Sequence, residues 1–168
     1  MNCYRHRSTG MPSNVVKAVK HQLTVTRRAE RFANEIQSTT SVGNAQDLAS
    51  YVHKMRALIH AAEHCEKNMQ GLEAEPNSKA ESFIAKNLGQ MCPRRYAAFK
   101  VAYTAVAINR ESIEKWKGVD EHSATAREFL IEKISDFLAS CENKFKKAGS
   151  HVESFLVSTQ KFTRTWQG

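Results

Sequence analysis

Tyr96-Ala-Ala-Phe-Lys-Val-Ala-Tyr-Thr-Ala-Val-Ala-Ile108 decides the fold class of this chain. Eleven of its thirteen residues are apolar, and at about 100° per residue they spread nearly all round a helix. A helix apolar on every side belongs at the centre of a bundle, since none of its faces can be left to water. Ala97, Ala98, Ala102, Ala105 and Ala107 keep it slim enough for close neighbours. The stretch is interrupted by Lys100 and is too short to span a bilayer, which takes about 20 residues. Pro93 precedes it at what reads as the first helical position, where a missing N–H costs nothing. Trp116-Lys117-Gly118 follows: a packing aromatic, then a glycine able to take the left-handed cap. The pattern predicts a central helix over about 93–117, with Phe99, Ala102 and Ala105 among its most buried residues.

Amphipathic stripes lie on both sides of this stretch. Val15, Val19, Val25, Ala29, Phe32, Ala33 and Ile36 line one face of a helix from Ser13 to Gln37. Asn44-Ala-Gln-Asp47 then caps a second helix, which carries Leu48, Tyr51, Val52, Met55, Leu58, Ile59, Ala62, Cys65, Met69 and Leu72 to about residue 72. Ser78-Lys-Ala-Glu81 is a capping box opening a short helix over about 79–91. Beyond the central helix, Phe129, Leu130, Ile134, Phe137, Leu138, Cys141 and Phe145 mark another, starting at Ser123 or Thr125 and ending near Ala148. Ser150-His-Val-Glu153 opens a last one, with Val152, Phe155, Leu156, Phe162 and Trp166 on one face. With only seven Gly and three Pro in 168 residues, breakers are scarce. The expectation is an all-α, single-domain bundle of five or six mostly antiparallel helices over residues 13–168, preceded by a flexible arm, 1–12.

The net charge of +8 is unevenly spread: residues 1–40 and 76–118 each carry +5, whereas 119–143 carry −4. Cys3, Cys65, Cys92 and Cys141 show no C-x-x-C spacing, so the set reads as reduced thiols, the helical ones serving as small hydrophobes. Their even number leaves room for disulfides whose connectivity the sequence does not give. The first residues contain no apolar run of the secretory kind. The expected location is the cytoplasm, or outside the cell by a route that needs no such signal.

Function is less legible than fold. Lys17, Lys20, Arg27, Arg28 and Arg31 project within about a 100° arc of the first helix, opposite its apolar stripe, with Thr24 among them. Such a ridge suits phosphates, each of which releases counterions when neutralised. Arg94 and Arg95, with Lys100 and Arg110, extend the basic character onto the central helix. On the second helix, His53, His60 and His64 project within about 40° of one another. His60 and His64, at i and i+4, are the weak candidates for a metal. His60-Ala-Ala-Glu63-His64 also matches the H-x-x-E-H pattern of the inverzincin metalloproteases, in which the histidines bind zinc and the Glu is the base. Here Glu63 projects some 60–100° from the His pair, so the residues are read as lining a polar face. Trp116-Lys117-Gly118 is similar to the W-x-G turn of small secreted helical-hairpin proteins. Phosphate-binding glycine loops, nucleophile elbows and H-E-x-x-H are absent from the sequence. These features predict a non-enzymatic binding protein without a cofactor. Its partner is an acidic macromolecule, nucleic acid favoured over protein, and homo-oligomers are possible. The alternative is a protein-interaction module such as an adaptor, chaperone or exported effector.

Overall fold

A computed structural model of the chain describes residues 11–65 and 78–142. They form helices and turns, with no strand among them. Helix α1 spans Ser13–Ser38, α2 Ala45–Glu63, α3 Lys79–Ile108 and the short α4 Arg110–Glu114. A final rod comprises α5 (Glu121–Glu128), a π-helical turn (Phe129–Lys133) and α6 (Ile134–Glu142).

The caps explain where these helices start. The Asn44 side chain accepts from the Asp47 N–H at 2.8 Å, and the Asp47 carboxylate accepts from the Gly43 N–H at 3.2 Å. Ser78 accepts from the Glu81 N–H at 3.2 Å, as the capping box requires. At α5 the cap is Asp120, three to five residues earlier than expected, accepting from the Ser123 N–H at 2.7 Å. The Ser123 hydroxyl also donates to the Asp120 carboxylate at 3.0 Å, and these two hydrogen bonds, backbone first, hold the carboxyl below its usual value. Gly118 ends the turn after α4 with φ of 80°, the left-handed conformation anticipated for it.

The predicted break at Pro93 does not occur. The helices expected over 79–91 and 93–117 are a single 30-residue helix through Pro93, and the central helix ends at Ile108 instead of near 117. Proline inside a helix costs about 3 kcal/mol through a lost hydrogen bond and a clash with residue i−4. Here residue i−4 is Gly89, which is exposed, so water can reach the carbonyl left without its donor. Met91, Cys92, Tyr96, Ala97, Ala98 and Phe99 are buried on both sides of Pro93. Each large apolar side chain buried contributes roughly 1.5–3 kcal/mol, so continuous packing outweighs the proline.

Three helices make the core. Val15 and Val19 of α1 pack with Phe83, Ile84 and Leu88 of α3, and the far end of α1 meets α3 where Asn109 donates to the Thr39 carbonyl at 3.0 Å. α1 and α3 therefore run parallel, and theirs is the most extensive helix contact. α2 is antiparallel to both: Tyr51 lies beside Asn109 at one end, and Cys65 beside Cys92 at the other. The α5–α6 rod packs on α2 and α3, with the Phe137 ring edge-on to Phe99 at 4.8 Å and Tyr103 hydrogen-bonded to Ser135. α1 and this rod flank the α2–α3 pair and have little contact with each other. Phe99 and Ala102 are fully buried and Ala105 nearly so, as expected of the central helix.

Two further expectations change. Cys65 and Cys92 are joined in a disulfide across a Cα separation of 5.8 Å, so they are not reduced thiols. Neither their 27-residue separation nor their apolar surroundings announces this pairing, which only the α2–α3 packing creates. Met11, assigned to the arm, packs against Val15 and Val19. The second helix ends at Glu63 with His64 as its C-cap, short of the expected end near Leu72. The rest of the arm, residues 66–72 and the helix opened by Ser150 lie outside the described residues.

Candidate functional site

α1 turns its cations directly away from the core. Its buried residues are Val15, Val19, Gln22, Thr26, Ala29, Ala33 and Ile36, whereas Lys17, Lys20, Arg27, Arg28 and Arg31 are all exposed. At 1.5 Å per residue, Lys17 to Arg31 spans about 21 Å. The ridge has two shoulders. Lys20, Arg27 and Arg31 project on one side of Thr24, Lys17 and Arg28 on the other. The exposed His21 extends the second shoulder. No conspicuous motif draws attention to it, and its helical angle is the one signal that could have included it. The Thr24 hydroxyl donates to the Lys20 carbonyl at 3.1 Å, so its hydrogen is held by its own helix instead of awaiting a ligand.

The acids of α1 explain why the ridge keeps its charge. Glu30 receives both Nε (3.2 Å) and Nη2 (2.6 Å) of Arg94, a two-point grip from α3. Glu35 is met by the Lys54 ammonium of α2 at 3.2 Å, with Arg31 a looser 3.8 Å away. The side chains of Lys17, Lys20, Arg27 and Arg28 have no ion pair or hydrogen bond among the described residues. α1 lies across the molecule from the acidic α5–α6 rod, so it is not neutralised from there.

The cations expected to extend the ridge onto the central helix do not do so. Arg94 is committed to Glu30. Arg110 pairs with Glu114 at 3.4 Å, and the Lys100 ammonium lies 5.9 Å from the centre of the Tyr96 ring. Arg95 is the clearest correction: its exposure is 0%. Its Nε donates to Thr26 Oγ1 (2.8 Å), its Nη1 to the Ala61 carbonyl (3.0 Å), and its Nη2 to the Gln22 carbonyl (2.9 Å) and side-chain oxygen (2.7 Å). Arg94 and Arg95 are identical in sequence terms, but adjacent helical residues point about 100° apart. One reaches the rim and the other enters the core. Burial pushes the Arg95 guanidinium down to about 10, so it stays charged at neutral pH. Ala61 belongs to the last turn of α2, where the helix dipole favours a cation. Gln22 and Thr26 are buried because they serve Arg95.

A second polar cluster fixes the α1–α2 loop. Tyr51 donates to the Ile36 carbonyl at 3.2 Å and accepts from Asn109 Nδ2 at 2.8 Å. The Val42 N–H donates to Ser112 Oγ, which donates to the Asn109 carbonyl. Burial raises the Tyr51 phenol above its usual value, which keeps it a neutral donor.

The histidine face divides. His60, in the last turn of α2, and His64, its C-cap, stand together with ring centres 4.5 Å apart, while His53 lies against Phe32 at 6.0 Å. Glu63 Oε2 is 3.8 Å from His64 Nε2. No group of three His, Cys, Asp or Glu side chains able to hold a metal occurs among the described residues. No described helix is long and apolar enough to cross a membrane. No protein-family model matches this chain, and no match is found among curated proteins or solved structures.

Proposed function

We propose that the protein is a non-enzymatic binding module that holds nucleic acid against the outward face of α1. The supporting observation is that both acids of α1 are drawn off by cations of other helices, leaving Lys17, Lys20, Arg27 and Arg28 exposed and unpaired among the described residues. A face of like charges repels itself, so it is stabilised by a polyanion whose counterions it displaces. The sequence pI of 9.5 keeps the whole chain positive at neutral pH and speeds the encounter. The Cys65–Cys92 disulfide favours an exported chain over a cytoplasmic one, since such bonds persist in oxidising compartments.

Binding to mixed-sequence nucleic acid, measured over a salt series, tests this reading. Log affinity falls linearly with log salt, and the double variant Arg27→Glu/Arg28→Glu weakens binding alike for all sequences, because phosphates carry no sequence information. Its thermal melt stays close to that of the wild type, since both residues are exposed. If the wild-type chain is not retained on any nucleic acid at low salt, the reading fails. The ridge is then a solvated face or a dock for an acidic protein, and the interaction-module alternative takes first place.

A further inference from the structure

We propose that His60 and His64 together chelate a late first-row divalent metal ion, of the nickel, copper and zinc group, at the C-terminal end of α2. This site is independent of the ridge on α1. Side chains four residues apart on a helix share one face, and these two imidazole rings stand with centres 4.5 Å apart. Metal–nitrogen bonds of about 2.0–2.1 Å let a single ion sit between such a pair. The backbone beneath the rings is already fixed. The His64 N–H donates to the His60 carbonyl at 3.0 Å, and Cys65, the next residue, is tied to α3 through its disulfide with Cys92. The chain therefore has no backbone ordering left to undergo on binding.

The surroundings favour a cation. The end of a helix carries partial negative charge on its last carbonyls, and His64 is the C-cap of α2. Glu63 Oε2 stands 3.8 Å from His64 Nε2, adding a carboxylate beside the pair. The two cations of α2 are engaged elsewhere: Lys54 meets Glu35 at 3.2 Å, and the Arg56 guanidinium lies 5.2 Å from the centre of the Phe129 ring. His60 is exposed and the His64 side chain is 29% exposed, so an ion reaches both from water. Imidazole nitrogen suits zinc, copper and nickel, whereas magnesium and calcium take oxygen. No third protein ligand joins the pair among the described residues. His53 lies about 10 Å back along the helix from His60 and packs on Phe32. The remaining coordination positions are thus left to water or to a ligand from outside.

Thermal melts of the full chain over a series of zinc concentrations, at neutral pH and without nucleic acid, test this. The helix holds the two imidazoles together only in the folded state, so zinc raises the melting temperature, and the rise grows with the logarithm of zinc concentration above the dissociation constant. His60→Ala and His64→Ala each abolish the rise. His53→Ala, on the same face of α2 but outside the pair, keeps it, and magnesium gives none. Without zinc, His60→Ala melts close to the wild type, since the residue is exposed. A wild-type melt unmoved by zinc, a rise that survives in His60→Ala or His64→Ala, or one lost equally in His53→Ala overturns the proposal.

Discussion

Arg95 carries a positive charge at 0% exposure, surrounded by oxygens of Gln22, Thr26 and Ala61. Desolvating an ion costs several kcal/mol. Hydrogen bonds to a charged group return about 1.5–3 kcal/mol each, and four of them, helped by the end of α2, make the arrangement tolerable. Arg95 also touches both other core helices, so it sets their register against α3. Replacing it with Met removes the charge but leaves buried acceptors on Gln22, Thr26 and Ala61 without donors. Arg95→Met is expected to lose about 1–3 kcal/mol in urea denaturation. Its affinity for nucleic acid should equal that of the wild type. Weakened binding with unchanged stability would return Arg95 to the interface. Arg28 is the opposite case: exposed and unpaired among the described residues, it is expected under the proposed reading to affect binding and to change stability little.

α3 is held as one element by what it packs against, despite Pro93 within it. Phe99 is fully buried and edge-on to Phe137, so Phe99→Ala is expected to cost about 3–5 kcal/mol. Ala102, with 0% exposure, leaves no room for growth, and Ala102→Leu is expected to cost about 1–3 kcal/mol. Variants that melt like the wild type would make α3 peripheral. The Cys65–Cys92 bond ties the end of α2 to α3 one residue before Pro93. Closing a loop of 27 residues removes unfolded-chain entropy worth about 3.5 kcal/mol. Thermal melts with and without a reductant should differ accordingly, by roughly 2–4 °C per kcal/mol for a chain of this size. An unchanged melting temperature, with thiol titration showing full reduction, would mean the disulfide adds nothing to stability. Helical stripes and caps could be read residue by residue because they depend on near neighbours. The persistence of α3 could not, because the penalty at Pro93 is local and its compensation comes from α1 and α2.

At the scale of the molecule, the described residues place charge of opposite sign on the two sides of the α2–α3 layer. The ridge of α1 lies on one side, and exposed Glu121, Glu128, Glu132 and Asp136 of the final rod on the other. Within the basic side, Arg94 and Lys54 neutralise the acids of α1 from neighbouring helices. Removing one of those acids should strengthen the field: under the proposed reading Glu30→Gln is expected to tighten nucleic-acid binding by up to about fivefold, the scale of an exposed charge term of roughly 0.2–1 kcal/mol. Anisotropy at fixed low salt checks this, and weaker binding would show that the Arg94–Glu30 pair shapes the ridge rather than merely balancing charge. The sequence by itself determined the all-helical class, the burial of Phe99 and Ala102, the caps at Asn44 and Ser78, and the cation stripe on α1. Each follows from side-chain periodicity or from contacts within a turn or two. The tertiary structure decided the passage of α3 through Pro93, the Cys65–Cys92 bond, the parallel pairing of α1 with α3, and the fates of Arg94 and Arg95. These depend on which surfaces meet across tens of residues, and neither helical period nor residue type encodes that meeting.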